Sequence, residues 1–230
     1  MESKIDNTIV IIPSFNEAKS IGEVVRNTTE LGLSALVIDD GSIDNTQRIA
    51  LDNGAMVVGH RQNLGKGYSV RQGIEYVAKK TNFEWIVIMD GDGQHHPLDI
   101  KSLMDATRSS DVEMVSGNRM FQTQEMPPVR VLTNKFMSWV ISGMCRQHIP
   151  DTQCGFRLIK VSALKKMKLV STKYDIESEM LIQAAKNGIK IESAPIRTIY
   201  GEEVSKIKPL RDTMRFIALI TRFYFSGKKT

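Results

Sequence analysis

Two carboxylates one residue apart stand in the run Met89-Asp90-Gly91-Asp92-Gly93-Gln94, immediately after an apolar stretch, residues 85–89. Such a pair does not belong in an apolar core, and its charges repel unless a cation lies between them. Hard divalent ions, Mg2+ or Mn2+, take oxygen ligands of this kind and share them with substrate phosphates. An Asp-Gly turn that closes a strand uses the same residues. The run by itself fits both; the buried strand before it favours the metal.

Val37-Ile38-Asp39-Asp40-Gly41-Ser42 has the same build, an apolar strand ending in two acids and a glycine. Acids here can accept hydrogen bonds from a base or a ribose hydroxyl. Equally, Ser42 or Asp44 can cap a helix over residues 45–53. Ile12-Pro13-Ser14-Phe15-Asn16-Glu17 closes the first apolar run and, alone, reads as a turn and a helix start. Three strand ends with compatible polar groups, in order, are a rarer coincidence than any one of them.

Positioning these groups requires strands that end together. Apolar runs at residues 8–12, 35–38, 56–58, 85–89 and 113–115 read as strands buried on both faces. Amphipathic stretches at 18–31, 45–53, 67–80 and 98–108 read as the helices between them. This alternation predicts an α/β fold, a mostly parallel central sheet with helices on both faces. Ligands in such folds bind at the carboxyl ends of the strands, where the three runs lie. The second half is less regular. Residues 122–130, with Pro127 and Pro128, read as a mobile loop, and 131–144 as a helix. Residues 151–157 form a polar turn leading into Leu158-Ile159. Residues 176–187 make a helix stopped by Gly188, and 189–196 a strand.

The 230 residues suit one large domain. Hydrophobic residues at 41% and charged residues at 25% are an ordered globular balance. A net charge of +5 suits anionic partners. No basic stripe with interleaved aromatics points to nucleic acid. Cys145 and Cys154 form neither a metal pattern nor a disulfide framework, which fits a reducing compartment. The apolar run 9–12 is too short for a signal-peptide core, and none approaches the roughly 20 residues that span a bilayer. Neither export nor membrane spanning is expected.

The three strand-end motifs together resemble the inverting family 2 glycosyltransferases, which have a single nucleotide-diphospho-sugar transferase domain of the GT-A type. Pro13, Phe15, Asn16 and Glu17 match the family's start, Asp39 to Ser42 its Asp-Asp-Gly-Ser, and Asp90 and Asp92 its Asp-x-Asp. Asn63-Leu64-Gly65-Lys66-Gly67 matches the glycine-containing loop before the third helix. The resemblance spans residues 8 to about 210. Within the family the chain looks most like the dolichyl-phosphate mannose and glucose synthases. His95-His96-Pro97, Ser116-Gly117-Asn118-Arg119, Arg197-Thr198 and Ser205-Lys206 match the former; Asp151-Thr152-Gln153-Cys154-Gly155-Phe156-Arg157 matches the latter. Glu203-Val204 stand where the mannose synthases have Gly-Glu.

The resemblance implies that Pro13, Phe15, Glu17, Ile38 and Asp40 hold the nucleoside of the donor. Asp92 would bind the metal, Mg2+ or Mn2+, with Asp90 and Gln94, and Gly91 between them would lie against the donor. Arg119, Arg130, Arg197 and Lys206 would meet phosphates, joined by Asn134 where the family more often has serine. Asp92, Arg119 and Arg130 would carry catalysis. The single domain, residues 1–230, would divide into a nucleotide-sugar and metal half to about 118, an acceptor half to about 210, and a basic amphipathic tail over 211–230.

Nucleophile chemistry points to the acceptor. A hydroxyl needs a general base, and the acid pair or Gln-x-x-Arg-Trp motif of hydroxyl-glycosylating relatives is lacking. The acidic run Tyr174-Asp175-Ile176-Glu177-Ser178-Glu179 also suits an ordinary amphipathic helix. A phosphate monoester arrives largely ionised, with a second pKa of about 6, and needs only cations to position it. A polyprenyl or dolichyl phosphate is therefore the expected acceptor of the hexose, from a UDP- or GDP-linked donor with a lean to uridine. The alternative is a hydroxyl of a sugar or protein. Residues 131–144 and 216–225 are amphipathic enough to lie in a membrane interface or, as readily, to pack on the sheet. Peripheral attachment to the cytoplasmic face of a membrane is expected.

Overall fold

The computed structural model describes residues 5–108, 111–124, 126–197, 199 and 216–223. The first apolar run becomes β1 (Thr8–Ser14), buried along its whole length. Helices cover both faces of the sheet, so no polar alternation is needed. β2 (Ser34–Asp39) and β4 (Trp85–Ile88) flank β1 in parallel, and β3 (Met56–Gly59) lies parallel to β2. β5 (Val112–Asn118), β6 (Arg157–Lys160) and β7 (Lys190–Pro195) complete a seven-stranded sheet of order β3-β2-β1-β4-β6-β5-β7. Only β6 runs against its neighbours, antiparallel to both β4 and β5.

The helices are α1 (Ile21–Glu30), α2 (Thr46–Asp52), α3 (Lys66–Lys80), α4 (Ile100–Asp105), α5 (Pro128–Cys145), α6 (Val161–Leu164) and α7 (Ile176–Lys186). Side chains of β1 alternate between two cores. Ile9 and Ile11 join Val70 of α3, Ile141 of α5 and Met180 of α7. Val10 and Ile12 join Val24 of α1, Ala50 of α2 and Leu103 of α4.

Two expectations are corrected. Residues 56–58 are a strand, but β3 is the edge of the sheet, and Met56 is exposed with Val57 and Val58 only half-buried. The loop expected over 122–130 ends early, because α5 starts at Pro128. Proline suits that place, since its missing N–H has no partner in a first turn. The polar turn expected over 151–157 lies at Thr152 and Gln153 and leads into β6, and it is buried: Asp151, Thr152, Cys154 and Arg157 are all shielded from solvent.

The C-terminal stretch left open between interface and core is helical over 216–223, with Phe216, Leu219 and Phe223 buried beside α7. Arg222 Nη2 lies 2.6 Å from Glu179 Oε1 of α7, and Lys186 Nζ stands 4.5 Å from the Phe223 ring centroid. Phe223 is a core contact here. Tyr224, Phe225 and the remaining tail residues lie outside the described residues. Among the described residues no helix is long and apolar enough to cross a membrane.

Gly73 lets α3 lie against the sheet. A Cβ at that position would stand 2.6 Å from Cγ2 of the fully buried Ile11. Gly73→Ala gains about 1 kcal/mol of helix propensity against an overpacking cost of about 1–3 kcal/mol. A net loss is expected, read as a lower urea midpoint at unchanged slope.

Candidate active site

The polar strand ends form one stitched surface. Asn16 adopts a left-handed backbone, φ 55°, and its Oδ1 accepts from Ile43 N at 3.0 Å. Asn16 N donates to Ser42 Oγ at 2.9 Å, and Glu17 N to Thr46 Oγ1 at 2.8 Å. The first two motifs therefore fix one another, with Pro13 opposite Ile38 in the sheet register. Pro13 and Ile38 are buried; Phe15 and Glu17 are half-buried. Gly91 closes the gap from β4: a Cβ there would collide with Ser14 Oγ, and its carbonyl accepts from Ser20 Oγ at 2.7 Å.

The adjacent acids of β2 divide their work. Asp40, expected at the nucleoside, accepts from Leu64 N at 2.9 Å and Gly65 N at 2.7 Å, and lies 2.9 Å from His60 Nδ1. It thereby anchors the glycine loop that starts α3. Gly65 takes φ 105° there, and a Cβ would run into Thr172 O and Lys173. Asp39 accepts from Ser42 N through Oδ2, while its buried Oδ1 has no hydrogen-bond partner among the described residues. The unspent acceptor at this strand end belongs to Asp39, the neighbour of the acid that the resemblance placed at the nucleoside.

The paired carboxylates stand beyond β4. Asp90 Oδ1 lies 2.6 Å from Lys66 Nζ, which is also 2.6 Å from Glu177 Oε1 on α7. Burial opposes ionisation of Asp90, but Lys66 outweighs it and holds the carboxyl below its ordinary range. Burial likewise works against the Lys66 charge, and Asp90 and Glu177 together raise its pKa above that of an ordinary lysine. Lys66 helps Asp92 too little to offset its surroundings. Burial and the neighbouring Asp90 charge push it up to about 6, although Gln94 N donates to its Oδ1 at 3.0 Å. Two hard oxygen donors, one destabilised by burial and a neighbouring negative charge, fit a divalent ion that shares its remaining positions with a diphosphate. His95 stacks on Phe156 with ring centroids 5.0 Å apart, and burial lowers its pKa to about 4. It is a neutral wall of the site.

Arg119 follows β5. Its Nε donates to Asp151 Oδ2 at 2.8 Å and its Nη2 to Asp151 Oδ1 at 3.0 Å. Burial disfavours both charges, and each holds the other ionised. Asn134 Nδ2 donates to the same Asp151 Oδ1 at 3.0 Å, and Ser138, one turn on, contacts Thr152. Asn134 is thus buried as an orienter of the Arg119 counter-ion. Arg130 is exposed one turn before Asn134, on the same stripe of α5. Arg197 is half-exposed and held by Asp99, with Nη2 2.9 Å from Oδ1. Lys206 lies outside the described residues. Cys145 and Cys154 are buried free thiols, pushed up to about 12 by burial.

Lys66, Glu177 and Asp151 were not assigned to the site from sequence. Lys66 sits in the glycine loop, and Glu177 opens an acidic helix turn. Neither position discloses that the two meet across 111 residues.

A mostly parallel sheet with paired carboxylates at the carboxyl end of β4 is the frame of the GT-A nucleotide-sugar transferases. Residues 9–168 match the model of glycosyl transferase family 2. A Methanocaldococcus jannaschii protein, MJ1222, is 36% identical over 86% of this chain and 83% of its own length. A UDP-N-acetylglucosamine–dolichyl-phosphate N-acetylglucosaminyltransferase of Methanococcus voltae is 32% identical over 84% of this chain and 86% of its own. Mycobacterium tuberculosis glucosyl-3-phosphoglycerate synthase, solved with Mn2+, UDP and phosphoglyceric acid, superposes with a TM-score of 0.70 at 18% identity. That superposition covers 95% of this chain and 77% of the other. The chain belongs to glycosyl transferase family 2, and it is a glycosyltransferase.

Proposed function

We propose that the protein transfers a hexose or N-acetylhexosamine from a uridine-diphosphate sugar to a polyprenyl phosphate, with inversion, at a membrane surface. One observation carries the reading: the two opposite faces of α5. Its inner face presents Asn134 and Ser138 to Asp151 and Thr152, so it supports the Arg119 pair. Its outer face exposes Val129 at 78%, Leu132 at 72%, Phe136 at 59% and Trp139 at 74%. Large apolar side chains in one exposed stripe mark an interaction surface. Here the stripe lies on the opposite face of the helix from Asn134 and Ser138, so a lipid phosphate would arrive beside it with its tail in the bilayer. Exposed Arg130 and Lys135 on the same helix suit anionic headgroups. The name of the Methanococcus voltae relative, which joins a uridine sugar to dolichyl phosphate, supports the donor and acceptor classes.

In this reading an oxygen of the acceptor phosphate attacks the anomeric carbon while the bond from that carbon to the β-phosphate oxygen breaks. A dianionic monoester becomes a monoanionic diester, and the nucleoside diphosphate leaves with one more negative charge. No proton has to be moved, so no general base is needed. A divalent ion held by Asp90 and Asp92 would neutralise charge on the leaving diphosphate. Arg130 steers the incoming phosphate, Arg119 is fixed in direction by Asp151, and the Asp39 Oδ1 acceptor suits a nucleoside donor group. His95 and Phe156 wall the site against water.

The reading is tested by incubating the protein with a panel of nucleotide sugars, one polyprenyl phosphate and Mg2+ or Mn2+, with products weighed by mass spectrometry. A sugar-phosphate-lipid from a uridine donor is expected; transfer only to free sugar or peptide hydroxyls refutes it. Arg130→Lys keeps the charge but loses the planar fork. It is expected to raise the acceptor KM by about tenfold, on the scale of one charge-assisted hydrogen bond, with donor KM unchanged. The double change Phe136→Ser and Trp139→Ser is expected to abolish salt-resistant co-sedimentation with anionic liposomes while leaving the melting temperature in place. Undiminished co-sedimentation moves the membrane surface elsewhere.

A further inference from the structure

Lys66 holds two carboxylates where one would neutralise it, and the second is not part of the Asp-x-Asp pair. Its ammonium touches Asp90 and Glu177 at 2.6 Å each, and its side chain is 14% exposed. The backbone of Gly155 roofs the group: a Cβ there would stand 2.9 Å from both Lys66 Nζ and Glu177 Oε1. Tyr174 closes another side, its ring centroid 5.8 Å from Nζ. The ammonium is therefore largely, though not wholly, shielded from water. Asp90 is at the same time a proposed ligand of the divalent ion. Two cations crowded on one carboxylate repel, and a largely buried ammonium stripped of its counter-ion is costly.

We propose that Glu177 is a positioning residue that lets the Lys66 ammonium and a divalent ion take turns on Asp90. In the donor-free protein Lys66 occupies Asp90 and stands in for the metal. When the ion enters with the nucleotide diphosphate, the ammonium swings onto Glu177 and remains paired. Asp90 is thereby never left bare, and the bare ion is excluded until a diphosphate arrives to help hold it. The inference rests on the reading of Asp90 and Asp92 as metal ligands.

The test measures Mn2+ affinity by electron paramagnetic resonance of the free ion, with and without UDP, on the full chain and with no turnover involved. Lys66→Met is expected to tighten Mn2+ binding without nucleotide by about tenfold or more, since a competing buried charge is removed. Glu177→Gln keeps the Lys66–Asp90 pair neutral, so it serves where Lys66→Met folds poorly. It is expected to weaken Mn2+ binding at saturating UDP by about tenfold, because the displaced ammonium has lost its refuge. In the Lys66→Met background the Glu177 change is expected to matter far less, a non-additivity that a merely structural role would not produce. Unchanged nucleotide-free affinity in Lys66→Met, or equal weakening by Glu177→Gln in both backgrounds, overturns the exchange. If the unaltered protein binds no Mn2+ even with UDP, the metal-ligand reading fails and takes the exchange with it.

Discussion

Asp92→Ala is expected to lower turnover by on the order of 10^3-fold, the scale set by losing a preorganised charge-stabilising element. The fold should not suffer. Asp92 is held with its pKa raised to about 6 by burial and by Asp90, so its charged form opposes folding. For a carboxyl raised in the folded state, this penalty grows as pH rises above the unfolded value and is complete above about 6. At neutral pH the alanine variant should melt at the same temperature as the parent or slightly higher. An inactive protein that is at least as stable is the signature of a functional carboxylate, and full activity in excess chelator would remove the metal from the account. Asp92→Asn separates charge from size: it should be nearly as inactive, because a neutral amide oxygen is a weak ligand for a hard ion.

Asp151→Ala has the opposite profile. Asp151 is fully buried and accepts from the Arg119 backbone and guanidinium, Asn134 and Gln153 N. Removing it strands a largely buried guanidinium, which costs about 3–5 kcal/mol. Chemical denaturation should show that loss directly. Adding Arg119→Met should return a large part of the stability, since an apolar pair often replaces a buried ion pair at little cost. The double variant should remain inactive if Arg119 meets a phosphate. Restored stability with restored activity would make the pair purely structural.

The strands and the place of the polar groups that close them were legible for one physical reason. A strand buried on both faces must be apolar throughout, so residues 8–12, 35–38 and 85–89 announced themselves, and the polar residues closing them had to lie at one edge of the sheet. Partnership was not legible. Nothing local to Lys66 or Glu177 says they meet, and nothing in Arg157–Lys160 says that β6 inserts between β4 and β5 in the reverse direction. Burial was misread where an apolar run fell at an edge, as Met56 did. α5 was the hardest, because its buried stripe carries Asn134 and Ser138 while its exposed stripe carries Phe136 and Trp139. Apolar spacing gives the helix, and only contacts give its orientation. Asp40 and Asp39 are neighbours of one type, and the loop at Leu64 and Gly65 decides which keeps a spare oxygen.

The insertion of β6 also orders the events of synthesis. Growing from its N-terminus, the chain can pair β1, β2, β3 and β4 as soon as residue 88 has emerged, because the four stand consecutively in the sheet, β3-β2-β1-β4. β5 follows them out of the ribosome but pairs with none of them; its neighbours in the sheet are β6 and β7. Until residue 160 is made, β4 presents an unpaired edge, and the apolar β5 has nowhere to go. A nascent chain stalled between those points is the species most prone to association with other chains. Chaperone dependence should therefore peak in that window and fall once Arg157–Lys160 closes the gap.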